Sequence, residues 1–368
     1  METKKKWLFI PNIYNAIISH KYPLSLAHFV TQRCNARCPH CFVDFKSAEH
    51  ELNLEQIEKI ANSTGKCLRN VALTGGEPFI RDDFFEIANI WFKNTTIRSI
   101  VVTTNGSMPD KIESFCKQAK KEQLPISFFL SYDFIGEKHS EYRRLKDLHI
   151  NVLESNKIIQ NYKFNSTLNI TVSSNNYESA FETYEYMRDT IKAQNINCTM
   201  VRGENADCLN DEIREKLAEV YKKIQTQKDR DFDNCLVKGF NDNSLTSTLI
   251  NAKNKLLWKY ILETFTEKKY ISPCSAGSLF GIIYHDGSVF PCELRNNQIG
   301  KLQDYDYNFM KLWQTKTAIG LRKEILCSKC YCSDECSWLV SIFSSPRYYT
   351  ELSYHILKNI MRKNNEHK

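Results

Sequence analysis

Three cysteines stand in the run Thr31-Gln32-Arg33-Cys34-Asn35-Ala36-Arg37-Cys38-Pro39-His40-Cys41-Phe42. Their spacing is Cys-x3-Cys-x2-Cys, and no fourth cysteine lies nearby. Iron–sulfur clusters are normally held by four thiolates, so three thiolates leave one iron of a four-iron cluster open to a ligand that the protein does not supply. A structural zinc loop is the alternative, but such sites close with four ligands, typically in Cys-x2-4-Cys pairs. The loop therefore favours an iron–sulfur cluster with an open iron.

Around this loop, short apolar stretches alternate with amphipathic patterns from residue 26 to about residue 201. This alternation is typical of βα units and a parallel sheet, which places the chain in the α/β class. Six such units predict a partial (β/α)6 TIM-like barrel rather than a closed eight-fold one. The predicted strands are Leu26–Thr31, Asn70–Thr74, Ser99–Thr103, Ile126–Ser131, Thr167–Val172 and Ile196–Val201.

Polar motifs follow the first four of these strands. The cysteine loop follows the first, and Thr74-Gly75-Gly76-Glu77-Pro78 ends the second. Thr103-Thr104-Asn105 ends the third, and Ser131-Tyr132-Asp133 ends the fourth. The active site of a parallel α/β fold lies at the carboxyl ends of its strands. The motifs are therefore expected to share one site.

In this order, the motifs resemble those of the radical S-adenosylmethionine (SAM) superfamily. The resemblance implies that the amino and carboxylate groups of SAM chelate the open iron. It also implies that an electron from a donor such as flavodoxin or ferredoxin cleaves SAM to methionine and a 5′-deoxyadenosyl radical, which takes hydrogen from a substrate. His139 and Arg143 match the His-x3-Arg step of the family. The SAM contacts implied by the resemblance are Gly75, Gly76, Glu77, Thr104, Asn105, Ser131 and Arg143.

A second set of cysteines begins after residue 271. Asp286-Gly287, between two apolar runs, predicts a β-hairpin that brings Cys274 and Cys292 to one metal site despite their separation. Four more cysteines follow with the spacing Cys-x2-Cys-x-Cys-x3-Cys: Cys327, Cys330, Cys332 and Cys336.

This second set resembles the SPASM/twitch extension of radical SAM enzymes, which carries auxiliary iron–sulfur clusters. Six thiolates suffice for one fully ligated cluster but not for two. Cys274 and Cys292 are the firmest of the expected ligands, and the resemblance favours Cys332 and Cys336 to complete the set. A zinc ribbon is the alternative.

The remaining cysteines are isolated and are expected to serve as small apolar side chains: Cys67, Cys116, Cys198, Cys208 and Cys235.

Length and composition bound the remaining possibilities. The chain has 368 residues, 42% of them apolar, and a net charge of +7 that is spread along it. No dense basic block with interleaved aromatic residues indicates a nucleic-acid partner, and no segment reaches the roughly 20 apolar residues that span a bilayer. A cytoplasmic protein is expected.

The predicted division is an N-terminal arm (1–25), a radical SAM partial barrel (26–206), a helical bridge (207–270), a SPASM/twitch-like auxiliary domain (271–340) and a C-terminal helical tail (341–368).

The substrate is less well defined by the sequence. The short N-terminal arm, of about 25 residues, favours oxidation or epimerisation of a small polar metabolite such as a sugar. The alternatives are maturation of a ribosomally made peptide or protein side chain, or a non-catalytic iron–sulfur or zinc scaffold. The candidate substrate contacts are Tyr132, Asp133, Arg202 and Glu204. The guanidinium of an arginine can bind a carboxylate or phosphate through two parallel hydrogen bonds. Each of these residues could equally have only a structural role, such as an ion pair.

Overall fold

The structure is a computed structural model that describes residues 9–41, 50–234, 236–237 and 245–366. Cys235 and residues 238–244, within the predicted helical bridge, lie outside the described residues.

Helices and strands alternate along most of the described chain. The strands are β1 Ser25–Phe29, β2 Asn70–Thr74, β3 Ser99–Thr104, β4 Ile126–Ser131, β5 Asn165–Val172, β6 Asn195–Met200, β7 Phe280–Ile283, β8 Ser288–Phe290 and β9 Gly300–Lys301. The α-helices are α1 Phe9–Tyr14, α2 Leu54–Asn62, α3 Phe84–Asn94, α4 Pro109–Lys121, α5 Glu137–Arg143, α6 Leu148–Asn161, α7 Tyr177–Asp189, α8 Glu204–Asp207, α9 Asp211–Asp233, α10 Leu245–Glu267, α11 Phe309–Trp313, α12 Lys316–Cys327, α13 Glu335–Ser344 and α14 Tyr349–Glu366. A π-helical turn spans Asn15–Ser19, and 3-10 turns span Pro78–Ile80, Leu302–Tyr305 and Pro346–Tyr348.

One sheet of nine strands organises the fold, in the order β6-β5-β4-β3-β2-β1-β7-β8-β9. The first six strands pair in parallel with their sequence neighbours, which confirms the α/β class and the partial barrel. β2 and β4 have the predicted bounds, and the other four of these strands differ from prediction by one or two residues at one or both ends.

The sheet continues past the predicted boundary at residue 271. β7 pairs in parallel with β1, with Ser25 opposite Phe280 and Ala27 opposite Ile282. β8 then pairs antiparallel with β7, which confirms the predicted hairpin, and Gly287 adopts the positive φ of 82° that its turn requires. The hairpin that carries Cys292 is therefore bonded directly to the first barrel strand.

The helices cover the sheet as their apolar periodicity predicts. α2 begins with a capping box, in which the Asn53 side chain accepts from Gln56 N at 2.9 Å and the Gln56 side chain accepts from Asn53 N at 3.0 Å. In α3, the apolar residues Phe84, Ile87, Ala88 and Trp91 are all buried. In α7, Ala180, Tyr184 and Met187 are buried, while Tyr177 and Phe181 are only partly buried.

The C-terminal helix packs against the bridge rather than standing apart. α14 contacts α10, where Glu351 accepts from Tyr260 Oη at 2.8 Å and pairs with Lys259 Nζ at 3.0 Å. Among the described helices, none is both long enough and apolar enough to cross a bilayer.

Candidate active site

The loop with the first three cysteines packs directly on the two glycines that follow β2. Gly76 N donates to Thr31 O at 2.8 Å, and Glu77 N donates to Arg33 O at 2.9 Å. A Cβ atom on Gly75 would lie 2.3 Å from Thr31 O, and one on Gly76 would lie 2.2 Å from Arg33 O. Only glycine permits this approach of one backbone to another. The glycine pair therefore fixes the position of the loop.

The three thiols of this loop lie within electrostatic reach of one another. All three are free and partly buried. Burial, with smaller contributions from Glu77, Cys38 and Cys41, raises the pKa of Cys34 to about 11. Burial also raises the pKa of Cys38, although the Arg143 guanidinium lowers it. A metal ligand must be a thiolate, and a bound cation would supply the stabilisation that burial removes.

Glu77 faces inward. Its side chain is 1% exposed, and its carboxylate accepts from Thr104 Oγ1 at 2.7 Å, Asn105 N at 2.7 Å and Phe79 N at 3.2 Å. Burial raises the pKa of Glu77 to about 7, although these three donors lower it. In this structure, the carboxylate joins the ends of β2 and β3.

Asn105 links the end of β3 to the cysteine loop. Its amide donates to Asn35 Oδ1 at 2.9 Å, and Asn35 Nδ2 in turn donates to Ser107 Oγ at 2.9 Å. The Thr104 hydroxyl, besides donating to Glu77, accepts from Gly106 N at 3.0 Å. The polar motifs after β2 and β3 therefore brace the loop between Cys34 and Cys38.

Asp133 and Arg143 form a buried ion pair. Arg143 Nε and Nη2 donate to Asp133 Oδ2 at 2.9 and 2.6 Å, and Thr171 N donates to Asp133 Oδ1 at 3.0 Å. Burial raises the pKa of Asp133, but the Arg143 guanidinium, His40, His139 and the Thr171 N–H together leave that pKa below its usual value. The backbone oxygen of Arg143 also accepts from Arg37 N at 2.9 Å, which connects this pair to the cysteine loop.

Other residues after β4 complete this inner layer. His139 Nδ1 accepts from Asp133 N at 3.1 Å, and its ring lies 4.8 Å from that of Tyr132. Tyr132 is fully buried, and its hydroxyl accepts from Gly136 N at 3.4 Å. Ser131 ends β4 and is partly exposed. Tyr132 and Asp133 thus lie inside the barrel wall rather than at the surface of the cavity described next.

A large cavity separates the two sets of cysteines. Its volume is about 1060 Å³, and Cys41 lines one part of it while Cys274, Cys292, Cys330 and Cys332 line another. Arg202 and Glu204 also line it, so two of the four predicted substrate contacts face this space.

Four of the later cysteines approach one another at the cavity wall. Burial raises the pKa of Cys332, and Cys274 and Cys292 are among the further groups that raise it. Cys330 likewise contributes to the raised pKa of Cys274, which burial dominates. Cys327 is exposed at the end of α12. Cys336 is partly buried, packs against an apolar cluster that includes Ile282 and Cys292, and does not line the cavity.

Arg202 joins the end of β6 to the loop that carries these cysteines. Its guanidinium pairs with the carboxylates of Glu293, beside Cys292, and Asp334, between Cys332 and Cys336. The distance from Arg202 Nη1 to Asp334 Oδ1 is 3.3 Å. Burial raises the pKa of Glu293, although the Arg202 guanidinium lowers it. Glu293 and Asp334 escaped sequence analysis because acidic residues beside cysteines carry no signal of a partner 91 or more positions away.

The residues present fit two metal centres and a bound cofactor. Within the described part of the chain, no three His, Cys, Asp or Glu side chains converge on a single ion. A four-iron cluster spreads its ligands over separate irons, whereas a zinc site gathers four ligands around one ion. Cys34, Cys38 and Cys41 suit a cluster with an open iron at the cavity wall, and the cavity beside Cys41 offers the space for SAM.

Comparison with known proteins gives a family model and several relatives. The model described as the radical SAM superfamily matches residues 29–215. A probable GTP 3′,8-cyclase of Methanothermobacter thermautotrophicus is 27% identical over 225 residues, which cover 56% of this chain and 69% of that protein. A probable GTP 3′,8-cyclase of Methanococcus maripaludis is 33% identical over 101 residues, which cover 27% of this chain and 34% of that protein. The chain therefore matches only about a third of the Methanococcus relative's length.

Solved structures share the fold over most of the chain. A structure described as native anSMEcpe with bound AdoMet and Kp18Cys peptide has a TM-score of 0.61 and 19% identity, and the match covers 94% of this chain and 99% of that one. Streptococcus suis SuiB bound to precursor peptide SuiA has a TM-score of 0.56 and 16% identity, with 83% and 68% covered. At these identities the likeness establishes the fold alone.

Proposed function

The chain belongs to the radical SAM superfamily, and from this membership we propose that it removes a hydrogen atom from a small polar metabolite, such as a sugar. The outcome would be oxidation or epimerisation assisted by an auxiliary cluster. The observation that carries this proposal is that Cys41 and the four cysteines Cys274, Cys292, Cys330 and Cys332 line one cavity. A substrate bound there would lie between the two metal centres.

The metal ligands divide between the two walls of the cavity. Cys34, Cys38 and Cys41 would hold the cluster that binds SAM, and Cys274, Cys292, Cys330 and Cys332 would hold the auxiliary cluster. When bound, SAM and its cluster supply the radical that takes the substrate's hydrogen atom, and the auxiliary cluster supplies an acceptor for the electron that remains. The first cluster would draw its own electron from a donor such as flavodoxin or ferredoxin.

The protein's own residues would orient and enclose these groups. Gly75 and Gly76 hold the cysteine loop at the end of β1, and Asn105 braces it from β3. The Asp133–Arg143 pair supports the same loop through the bond from Arg37 N to Arg143 O. Glu204, exposed at the cavity wall, is the acidic group we assign to polar contact with the substrate and to receipt of its hydroxyl proton during oxidation.

The size of the cavity supports a small substrate. Ligand pockets commonly have volumes of roughly 300–1,000 Å³ for one ligand, and this cavity of about 1060 Å³ must also take SAM. Its lining mixes both signs of charge, with Arg202, Lys268, Asp207 and Glu293 among the residues present. Polar side chains of this kind can hydrogen-bond the hydroxyl groups of a sugar, so the lining suits a sugar better than it suits an apolar molecule.

A second candidate is the maturation of a peptide or protein side chain. Its support is the structural likeness to anSMEcpe with bound Kp18Cys peptide and to SuiB with precursor peptide SuiA. Part of the cavity wall consists of exposed residues, including Asn205, Asn296 and Tyr331, where a peptide could enter.

The two candidates predict different accelerators of SAM cleavage. The assay is anaerobic formation of 5′-deoxyadenosine by the reconstituted chain, with dithionite and panels of sugars, sugar nucleotides and peptides. Acceleration by a sugar, with deuterium from the labelled sugar carbon in the 5′-deoxyadenosine, supports the first candidate. Acceleration by peptides alone overturns it in favour of the second. A Glu204→Gln variant should lower turnover of the accelerating sugar while leaving iron content unchanged.

A further inference from the structure

Arg202 pairs with two acidic side chains of the auxiliary region, Glu293 and Asp334. Its side chain is 22% exposed, while those of Glu293 and Asp334 are 6% and 1% exposed. Burial lowers the pKa of Arg202, but the two carboxylates raise it well above its usual value. An arginine held in this way is a fixed charge in the wall of the cavity.

Asp334 transmits this contact to the cysteine loop. Its carboxylate caps α13 by accepting from Cys336 N at 3.3 Å, Ser337 N at 3.4 Å and Ser337 Oγ at 2.8 Å. Trp338, one turn further along α13, donates from Nε1 to Cys332 O at 2.8 Å. The ion pair with Arg202 therefore ties both ends of the Cys332–Cys336 segment to the end of β6.

The charge of Arg202 lies beside two of the cysteines, because its partners are Glu293, next to Cys292, and Asp334, two residues after Cys332. Arg202 thus offsets two carboxylates that otherwise disfavour additional negative charge at a metal centre nearby. The same electrostatics act on electron uptake, because a nearby cation stabilises the reduced form of a metal centre.

We propose that Arg202 is a positioning residue for the auxiliary centre, which holds the Cys332–Cys336 segment against β6 and raises the reduction potential of the cluster ligated by Cys274, Cys292, Cys330 and Cys332. The inference rests on the auxiliary cluster proposed above. It gives the ion pair a role in the reaction, because a higher potential favours transfer of the substrate's remaining electron to that cluster.

The test isolates the auxiliary centre in a full-length chain with Cys34, Cys38 and Cys41 replaced by Ala. The reduction potential is measured by anaerobic redox titration with electron paramagnetic resonance, and iron is counted in each variant. In this background, Arg202→Gln should make reduction at least about tenfold less favourable, a shift of about 59 mV to lower potential for a one-electron couple. Glu293→Gln should shift the potential in the opposite direction, and Arg202→Lys should stay closer to the parent.

Arg188→Gln is the matched control. It removes the same charge at α7, where Arg188 pairs with Asp231 at 3.1 Å and does not line the cavity. If the role of Arg202 is purely structural, the reduction potentials of Arg202→Gln and Glu293→Gln should shift from that of the parent in the same direction, or neither should shift. Such a result, or an Arg202→Gln potential equal to that of Arg188→Gln, overturns the inference.

Failure of the underlying proposal gives a different result. If the parent with the three alanines binds no iron, the auxiliary cluster is refuted and the inference falls with it. SAM cleavage by the chain with all its cysteines is a separate measurement and would stand. If only Arg202→Gln loses iron, the positioning role is supported, and Arg202→Lys and Glu293→Gln decide the effect on potential.

Discussion

Replacement of Gly76 by alanine tests how the cysteine loop is held. The new Cβ would lie 2.2 Å from Arg33 O, 2.6 Å from Arg33 C and 2.8 Å from Gln32 O. All three are backbone atoms that cannot rotate away, so the loop must move. Movement would break the bonds from Gly76 N to Thr31 O and from Glu77 N to Arg33 O, at 2.8 and 2.9 Å.

The expected loss of stability follows from these contacts. Overpacking costs typically about 1–3 kcal/mol, and each of the two hydrogen bonds contributes about 0.5–1.5 kcal/mol. The free energy of unfolding should therefore fall by about 2–6 kcal/mol, a large part of the roughly 5–15 kcal/mol typical of a native protein. Displacement of the loop should also lower the iron bound by Cys34, Cys38 and Cys41.

Gly320→Ala is the matched control for this experiment. Gly320 lies within α12, and a Cβ there would meet no atom within 4 Å. This change should leave iron content unaltered and should stabilise the helix by about 0.5–1 kcal/mol. Urea unfolding and iron analysis of both variants decide the matter. A Gly76→Ala protein with the parent's stability and full iron content would refute the reasoning.

Three further predictions concern the inner layer and the auxiliary cysteines. The pKa of Glu77 is about 7 in the folded chain, against the usual glutamate value of 4.5. Glu77 should therefore make the free energy of unfolding fall as pH rises from about 4.5 to 7, by up to about 3 kcal/mol, and denaturation of Glu77→Gln across that range should lack this component. Asp133→Asn leaves the buried Arg143 charge without its partner and should lower the free energy of unfolding by about 3–5 kcal/mol. A midpoint of chemical denaturation equal to that of the parent would contradict this. Cys330→Ala should lose the auxiliary cluster's iron and its spectroscopic signal, whereas Cys327→Ala, at the exposed end of α12, should keep both; the reverse pattern would show that the ligand set is wrong.

Local sequence patterns predicted the barrel because its elements are specified locally. The apolar runs of Asn70–Thr74 and Ile126–Ser131 each depend on neighbours a few residues away, and the structure confirms the bounds of both strands. Asp286-Gly287 likewise specifies its turn through the conformational freedom of Gly287. These features need no knowledge of the rest of the chain.

Contacts between distant segments could not be predicted in this way. The parallel pairing of β1 with β7 joins Ser25 to Phe280, and apolar periodicity does not say which strands become neighbours. Side-chain direction was equally hidden. The sequence grouped Asp133 and Arg202 as possible substrate contacts, but Asp133 lies inside the wall with Arg143, whereas Arg202 lines the cavity and pairs there with Glu293.

The central claim is that Cys34, Cys38 and Cys41 hold the cluster at which SAM is cleaved. The most direct test compares anaerobic 5′-deoxyadenosine formation by the reconstituted chain with that of the variant in which all three are alanine, with iron counted in both. The account predicts cleavage by the parent alone, with a loss of about four irons per chain in the variant. Equal cleavage by the two proteins, or equal iron content, would contradict it.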